Sequence, residues 1–556
     1  MERKILFRLF ILVLITFCAV ITPKTVYGYP SNSMVKVCIM DSKYTTTEKT
    51  DVTIYGTDEL VIKDNRNNEI LHLPQGKFLS IKKGGKYILS YSDNENIEDV
   101  EFEIGEDFSI ICPEGVIGIK GLIRGGKPAL YRGEFRFISV PNKENAFYLV
   151  NCLDVEYYLK GVVPCEMPVH FGLEALKAQA VAARVYSLTP RTKMSRAYDV
   201  VDSVASQVYN GYNRESDAAN KAIDETHGIV ALYNDEMIIA VFSSTAGGYT
   251  ESYSETFSDP ITQQFPSPNK PYLVAKPDLP EFKPLDDEEE AFKFYSTKPL
   301  SYDIHSPLYR WTRTWTKDEL ERVLKNNLVV QSKTGFVEPR LTNSEDFGKL
   351  KDIRVTQRGV SGKIVFMEIE TDKTVYTIGK ELVIRRLFTK DGKALPSANV
   401  VFRNKGDKKD WSEITAYGGG FGHGCGLSQY GARYMAQDCK LPFDTILKHY
   451  YNGICLGTKP IELYKHSTPV CFYAPEKNAI ITIPNRHGME NLQIDINGQV
   501  YNVDLDKAHS RAEIDISDCI KVKDLNIVTF TSPYQNKQDT RRHDRIKPVK
   551  IYIKLL

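Results

Sequence analysis

Apolar and polar residues alternate in short runs along the first part of the chain. Residues 35–40, 60–63, 87–91 and 100–104 read as strands, separated by turn signals at Asp64 and Asn65, Gly84 and Gly85, and Asp93 and Asn94. This predicts a small all-β domain over 31–116. From 117 to 458 strands and helices mix: 130–139 and 147–150 read as strands. Between 173 and 188, Leu173, Leu176, Ala180 and Ala183 fall at helical spacing among good helix formers. Residues 230–232 and 238–243 read as a hairpin through Asn234 and Asp235. Residues 260–307 are proline-rich with an acidic run at 286–290, which predicts a long, partly mobile surface excursion. Order resumes at Trp311; Thr316 with Glu319 forms a capping-box pattern. A meander follows at 353–357, 364–369 and 374–378. The last segment, 464–556, returns to short strands around an Asn497-Gly498 turn, the pattern of a β-sandwich-like domain. The fold class expected is therefore α+β, with β domains on both sides of a mixed one.

Composition changes this picture little. At 556 residues the chain is long enough for about three domains. Its 72 basic and 71 acidic residues leave a net charge of +1, which gives no sign of a nucleic-acid binder. The first 28 residues add a location. Arg3, Lys4 and Arg8 precede an apolar run over 9–22, short of the roughly 20 residues that span a bilayer, and Val26 and Gly28 offer a cleavage pattern. This is an export signal, or an uncleaved anchor, and it predicts work outside the cytoplasm. Nine cysteines remain beyond Cys18, widely spaced and without a CxxC pair, so neither a zinc ribbon nor a dense disulfide framework is indicated. The basic end over 537–550 reads as a solvated face, or as a contact for an anionic wall polymer.

Three stretches carry candidate chemistry. In 161–172 Glu166 stands between Pro164 and Pro168, which predicts a stiff turn ahead of the helix. Among Val162, Val163, Met167 and Phe171 its carboxyl would lose hydration and hold its proton, as a general acid must; the competing role is to favour the positive end of the helix. The glycine-rich YGGGFGHGCGLSQYGARYMAQ, 417–437, lacks the Lys-Ser/Thr of a phosphate loop. Its His423, Ser428, Gln429 and Tyr430 suit a hydroxyl-rich ligand, or else His423 is satisfied by the backbone of a packed turn. In FSSTAGGYTESY, 242–253, Ser243 or Ser244 is a candidate nucleophile with His423 as base, without a GxSxG elbow. Cys165 or Cys425 with His423 or His170 is a thiol alternative, and His423 with Cys425 is half a metal site without a second half.

In order, VEYYLKGVVPCEMP, EALKAQAVAARVYSL, SQVYNG, FSSTAGGYTES, SPLYRWTRTWTKDEL, GHGCGLSQYGARYMA and HYYNG resemble the stage II sporulation protein D (SpoIID/LytB) family over roughly 118–458. The resemblance implies an α+β catalytic domain acting on peptidoglycan glycan strands, as a lytic transglycosylase or, alternatively, as a non-catalytic enhancer of a cell-wall amidase. It carries the family's catalytic glutamate to Glu166, and places Arg184, Tyr186, Gln207, Thr245, His423, Ser428 and Gln429 in the cleft. Some members bind zinc just before the SQVY motif; YDVVDSVASQVYNG has neither Cys nor His, so no metal and no cofactor is expected. A lytic transglycosylase needs one acid/base where a hydrolase usually needs two carboxylates. Glu166 fits the single-acid scheme, with Asp199, Asp202 and Glu251 as the carboxylates that folding could bring near it. If Glu166 and the His423 loop face one cleft, Cys165 and Cys425 become neighbours, as a disulfide or as two buried thiols.

Overall fold

The computed structural model describes residues 33–556 apart from 94–95, 106, 190–194, 279–282, 408–409, 464–466, 468, 486–488, 506–508 and 532–548. The export signal and nearly all of the basic end therefore lie outside the described residues. Among the described residues no helix is long and apolar enough to cross a membrane. The architecture is mixed α and β, with several sheets.

The N-terminal strands form two sheets, and the pairing crosses the boundary expected at 116. One sheet runs, in spatial order, Val200–Val201, Met34–Cys38, Phe147–Asp154, Glu134–Ser139, Phe108–Ile111, Leu60–Lys63 and Glu69–Leu73; the other sets Ile117–Arg124 between Lys127–Tyr131 and Asp51–Gly56. Strands on both sides of 116 bury one face in a single core that includes Val35, Ile54, Ile110, Phe135 and Leu149. A cut there would leave unpaired edges and half a core. The first strand is fastened to the later chain by two carboxylates: Lys36 N donates to Asp199 Oδ2 (3.0 Å) and Met40 N to Asp202 Oδ1 (3.0 Å).

Helix α1 (Val155–Glu166) follows directly, capped by Asp154, and α2 (Leu173–Leu188) packs against it. Here the stiff turn expected at Glu166 is corrected. α1 runs through Pro164, and Glu166 is its last residue. Burial of Val155, Tyr158, Leu159, Val162 and Val163 holds the helix against the proline's local preference.

The proline-rich stretch is likewise not an excursion. Asp278, Ser301, Asp303 and Ser306 are buried; Asp278 accepts from His449 Nε2 (2.7 Å) and Tyr450 (3.1 Å), and Asp303 from Gly247 N (2.6 Å). Composition alone could not show these partners, which lie up to 172 residues away. Beyond it, α3 (Lys317–Gln331) covers a separate core with the expected meander, Leu350–Arg358, Ile364–Thr371 and Val375–Gly379. Thr316 caps α3 (3.2 Å to Glu319 N), while the Glu319 carboxylate goes to Lys390.

The C-terminal strands also cross their expected boundary. Val549–Leu555, apolar and largely buried, pairs with Cys455–Thr458 and Ala479–Ile483, in a sheet that continues into Ile229–Tyr233. Four further strands, including Asn491–Ile496 and Gln499–Asp504, form a sheet of their own, and Asn497 and Gly498 take the positive φ values (56° and 87°) of the hairpin turn expected there. The 230–243 hairpin is shorter than expected: its second strand is only Glu236–Met237, and Phe242–Ser243 instead pairs in parallel with Leu427–Ser428.

Candidate active site

Glu166 is built by two segments. The SQVYNG loop is clipped onto the last turn of α1, where Val208 N donates to Glu166 Oε1 (2.6 Å) and Asn210 N to Gly161 O (3.2 Å). Gly161 permits this approach, since a Cβ there would sit 2.6 Å from the Tyr209 ring. Behind the loop, Tyr158 donates to Gln207 Oε1 (3.0 Å) and Tyr209 to Asn151 Oδ1 (2.8 Å), both fully buried.

Glu166 itself is half-buried, and Val208 N is its one hydrogen-bond donor among the described residues. Loss of hydration pushes its carboxyl above the ordinary range, opposed only by that N–H. Among the described residues no cation is paired with it. Its place at the C-terminal end of α1, the negative end of the helix dipole, disfavours its charge further. The alternative of a carboxylate serving the positive end of a helix is thereby corrected.

The second wall comes from the glycine-rich loop. The parallel pairing of Phe242–Ser243 with Leu427–Ser428 brings FSSTAGG against GHGCGLSQ, and Thr245 and Phe421 exchange backbone hydrogen bonds (3.1 and 2.9 Å). Gly426 has φ 74°, and a Cβ there would lie 2.1 Å from Val241 O. Helix α4 (Gln429–Gln437) leaves this loop and packs on α2 and on the short turn after Glu166. Tyr430 meets Phe171 edge-on (4.9 Å), Gln437 Nε2 donates to His170 O (2.7 Å), and Gln429 Nε2 donates to Gln179 Oε1 (3.2 Å). A second buried carboxylate lies under this loop. Glu251 N donates to Gly424 O (3.1 Å), and its side chain accepts from Ser361 Oγ and Asn399 Nδ2 (2.6 Å). Burial pushes its carboxyl up to about 7, against the pull of Lys363, Ser361 and Asn399.

The residues placed in the cleft by resemblance divide sharply. Tyr186 is half-buried and packs on Phe242 (6.3 Å). His423 accepts at Nδ1 from Cys425 N (3.1 Å), stands against Phe257, and its carbonyl accepts from Lys363 Nζ (2.6 Å). The others are wired into the core. Arg184 is fully buried and pairs with Glu156 (2.6 and 2.8 Å). Gln207 joins Tyr158 to Ala183 O. Thr245 bonds Ser306 (2.7 Å). Ser428 caps α4, accepting from Gly431 N and Ala246 N (both 3.3 Å). Ser243 Oγ accepts from Gly424 N (3.2 Å), which makes it a brace of the glycine loop.

Asp202 is consumed by Arg124 (2.8 Å), and Asp199 by Lys36 N. Cys165 and Cys425 are not joined by a disulfide, which corrects that alternative: Cys165 donates to Gly161 O and accepts from Asn210 Nδ2 (both 3.2 Å), and Cys425 is buried in the core. Asn210 and Arg214, both near Cys165, were not singled out in the sequence, although Asn210 ends the SQVYN run.

Residues 143–233 match the family model described as "Stage II sporulation protein", and 259–426 match a "Domain of unknown function (DUF8618)". The chain is 30% identical over 345 residues to the stage II sporulation protein D of Bacillus subtilis (strain 168), covering 59% of this chain and 82% of that one. It is 29% identical over 359 residues to the protein of that name from Bacillus amyloliquefaciens, covering 62% and 85%. To a protein of Bacillus subtilis (strain 168) named "Amidase enhancer" it is 33% identical over 305 residues, 54% of this chain and only 40% of the relative's length.

Proposed function

Because the chain belongs to the stage II sporulation protein D family, we propose that it is a peptidoglycan lytic transglycosylase of the cell wall with Glu166 as its one acid/base. The observation that carries this reading is a half-buried carboxyl that has lost hydration, with one backbone donor and, among the described residues, no cation partner. In the protonated state Glu166 gives its proton to the glycosidic oxygen as the bond between C1 of N-acetylmuramic acid and O4 of the next N-acetylglucosamine breaks, and that sugar leaves with the proton as its 4-hydroxyl. The resulting carboxylate then takes the proton of the N-acetylmuramic acid's C6 hydroxyl as O6 bonds C1. A 1,6-anhydro ring forms, no water is consumed, and Glu166 returns to its starting state.

The surroundings support one carboxylate over two. Asp199, Asp202 and Glu251 each have structural partners of their own. Val208 N fixes one oxygen of Glu166 and leaves the carboxyl oriented for transfer. The work is placed outside the cytoplasm, on the reading of the first 28 residues as an export signal or anchor.

A second reading draws on the amidase enhancer among the relatives: the same site holds glycan and presents it to a cell-wall amidase without turnover. One experiment separates the two. The protein is incubated with peptidoglycan glycan strands and the products are analysed by mass spectrometry. Anhydro-muropeptides that vanish in Glu166→Gln support the enzyme. Bound but unchanged strands that raise an amidase's rate support the enhancer.

A further inference from the structure

Helix α1 gives out at Glu166, and the turn that follows has few ties of its own. Met167 N makes the last helical bond, to Val163 O (3.0 Å), Pro168 has no N–H to give, and Phe171 N closes a single turn on Pro168 O (2.9 Å). The turn is held from outside. Among the described residues Gln437 is the one side chain that hydrogen-bonds the backbone of 167–172: its Nε2 donates to His170 O (2.7 Å). The same amide lies against Gly172, where a Cβ would come within 3.2 Å of Gln437 Cγ.

Gln437 is the last residue of α4, on one stripe with Tyr430 and Tyr434 at i, i+4 and i+7 spacing. Tyr430 meets the buried Phe171 edge-on (4.9 Å). Helix α4 therefore grips the turn at two points, about 10 Å apart along its axis. Between them Tyr434 packs on Tyr302 (5.9 Å) and stacks with His305 (5.6 Å). At its start α4 is fixed to the glycine-rich side: Ser428 accepts from Gly431 N and Ala246 N, and Gln429 donates to Gln179 on α2. The helix is thus a strut from the glycine-rich loop to the turn that leaves Glu166.

We propose that Gln437 is a positioning residue for Glu166, acting through His170 and the turn at 167–171, and that α4 fixes the acid relative to the glycine-rich loop. This rests on the reading of Glu166 as the acid. Pro168, with its φ locked, makes a stiff link between His170 and the end of α1. A general acid must stand within hydrogen-bond reach of the oxygen it protonates. Misplacing it by about 1 Å costs on the order of 10²-fold in rate.

The test uses the full-length protein and peptide-free N-acetylglucosamine–N-acetylmuramic acid strands, with anhydro-product formation followed across pH. Gln437→Met keeps length and neutrality and removes the donor. It is expected to lower kcat about tenfold, with KM within about twofold. The loosened turn also lets water reach the Glu166 carboxyl, whose proton is held by lost hydration, so the falling limb of the rate moves to lower pH. A merely structural role would lower the amount of active protein and leave that limb in place. Gln437→Lys, which puts a donor back, is expected to recover most of kcat. A limb unmoved in Gln437→Met, whatever the amplitude, overturns the positioning role and leaves the proposed activity standing. Gln437→Lys as slow as Gln437→Met overturns the hydrogen bond to His170 as the link. A wild-type protein that makes no anhydro product overturns the reading of Glu166 as the acid, and the positioning role with it.

Discussion

Glu166 and Glu251 are both carboxyls whose protons are held by burial, and they face different surroundings. Glu166 ends a helix, is half-buried, and has one backbone donor. Glu251 is fully buried and held by Ser361, Asn399 and the nearby Lys363. A raised pKa alone would nominate either as an acid. Wiring separates them: a group that must give and regain a proton needs an oxygen open to substrate, whereas a brace needs every lone pair engaged. Glu251 braces the glycine-rich loop, whereas Glu166 keeps one carboxyl oxygen without a donor among the described residues.

The largest expected effect tests this division directly. Glu166→Gln should lower the rate of anhydro-product formation by about 10²–10⁴, the usual range for loss of a general acid, with little change in melting temperature. On the proposed reading the wild-type rate should fall as pH rises through the raised pKa of Glu166, because the protonated carboxyl would be the acid. Rate measurements across pH should show that limb in the wild type and none in the variant. A Glu166→Gln protein as active as wild type would move the chemistry elsewhere, with Glu251 the next carboxyl to replace.

Arg184 offers the next largest effect, on stability. Resemblance placed it in the cleft, yet it is buried against Glu156 and also donates to Ile229 O (3.1 Å). Arg184→Met would strand the Glu156 carboxylate in the core, and removing one partner of such a pair costs about 3–5 kcal/mol. Chemical denaturation should show that loss. A raised KM in a protein of unchanged stability would return Arg184 to the binding residues.

The contrast between Arg184 and Glu166 also shows what was legible in the sequence. The apolar setting of Glu166 was readable because it is local: Val162, Val163, Met167 and Phe171 flank it in the chain and are themselves buried in the fold. The α2 helix, the 350–379 meander and the Asn497-Gly498 turn were readable for the same reason, being written in short-range periodicity and turn chemistry. Arg184 was not, since its partner is 28 residues away and only the packing of α1 on α2 reveals it. The same holds for Asp278 and Asp303, which turn a proline-rich segment into packed structure through His449, Tyr450 and Gly247. The N-terminal boundary failed because alternation marks a strand and leaves its neighbour unnamed: Glu134–Ser139 pairs back to Phe108–Ile111 across the expected division.

On the glycine-loop side, Glu251 makes a smaller, pH-dependent prediction. Its pKa is about 7 in the fold against an ordinary 4.5. The native state therefore holds a proton that the unfolded chain has released between these values. Stability falls as pH rises through that window, by at most about 3 kcal/mol. Glu251→Gln should remove this part of the dependence, since an amide can accept from Asn399 and donate to Ser361. Denaturation midpoints at pH 5 and pH 8 should converge relative to wild type, with activity largely kept. If the gap between the midpoints is unchanged, the Glu251 carboxyl is not the group that titrates.

The smallest effect concerns Ser428, where a sugar-binding role and a structural one make opposite forecasts. Its hydroxyl oxygen accepts from Gly431 N and Ala246 N, so it caps α4 and ties the glycine loop to the STAGG turn at once. Both N–H groups belong to buried backbone, and water cannot replace the lost acceptor. Ser428→Ala should therefore cost about 1–2 kcal/mol, the upper part of the range for losing an N-cap. Ser428→Asp should restore the cap only in part, because the larger, charged side chain must fit a site with no exposed surface. Thermal unfolding reads the loss, and glycan binding reads the alternative. A protein that melts like the wild type but binds strands more weakly would place the Ser428 hydroxyl in the cleft and not in the brace.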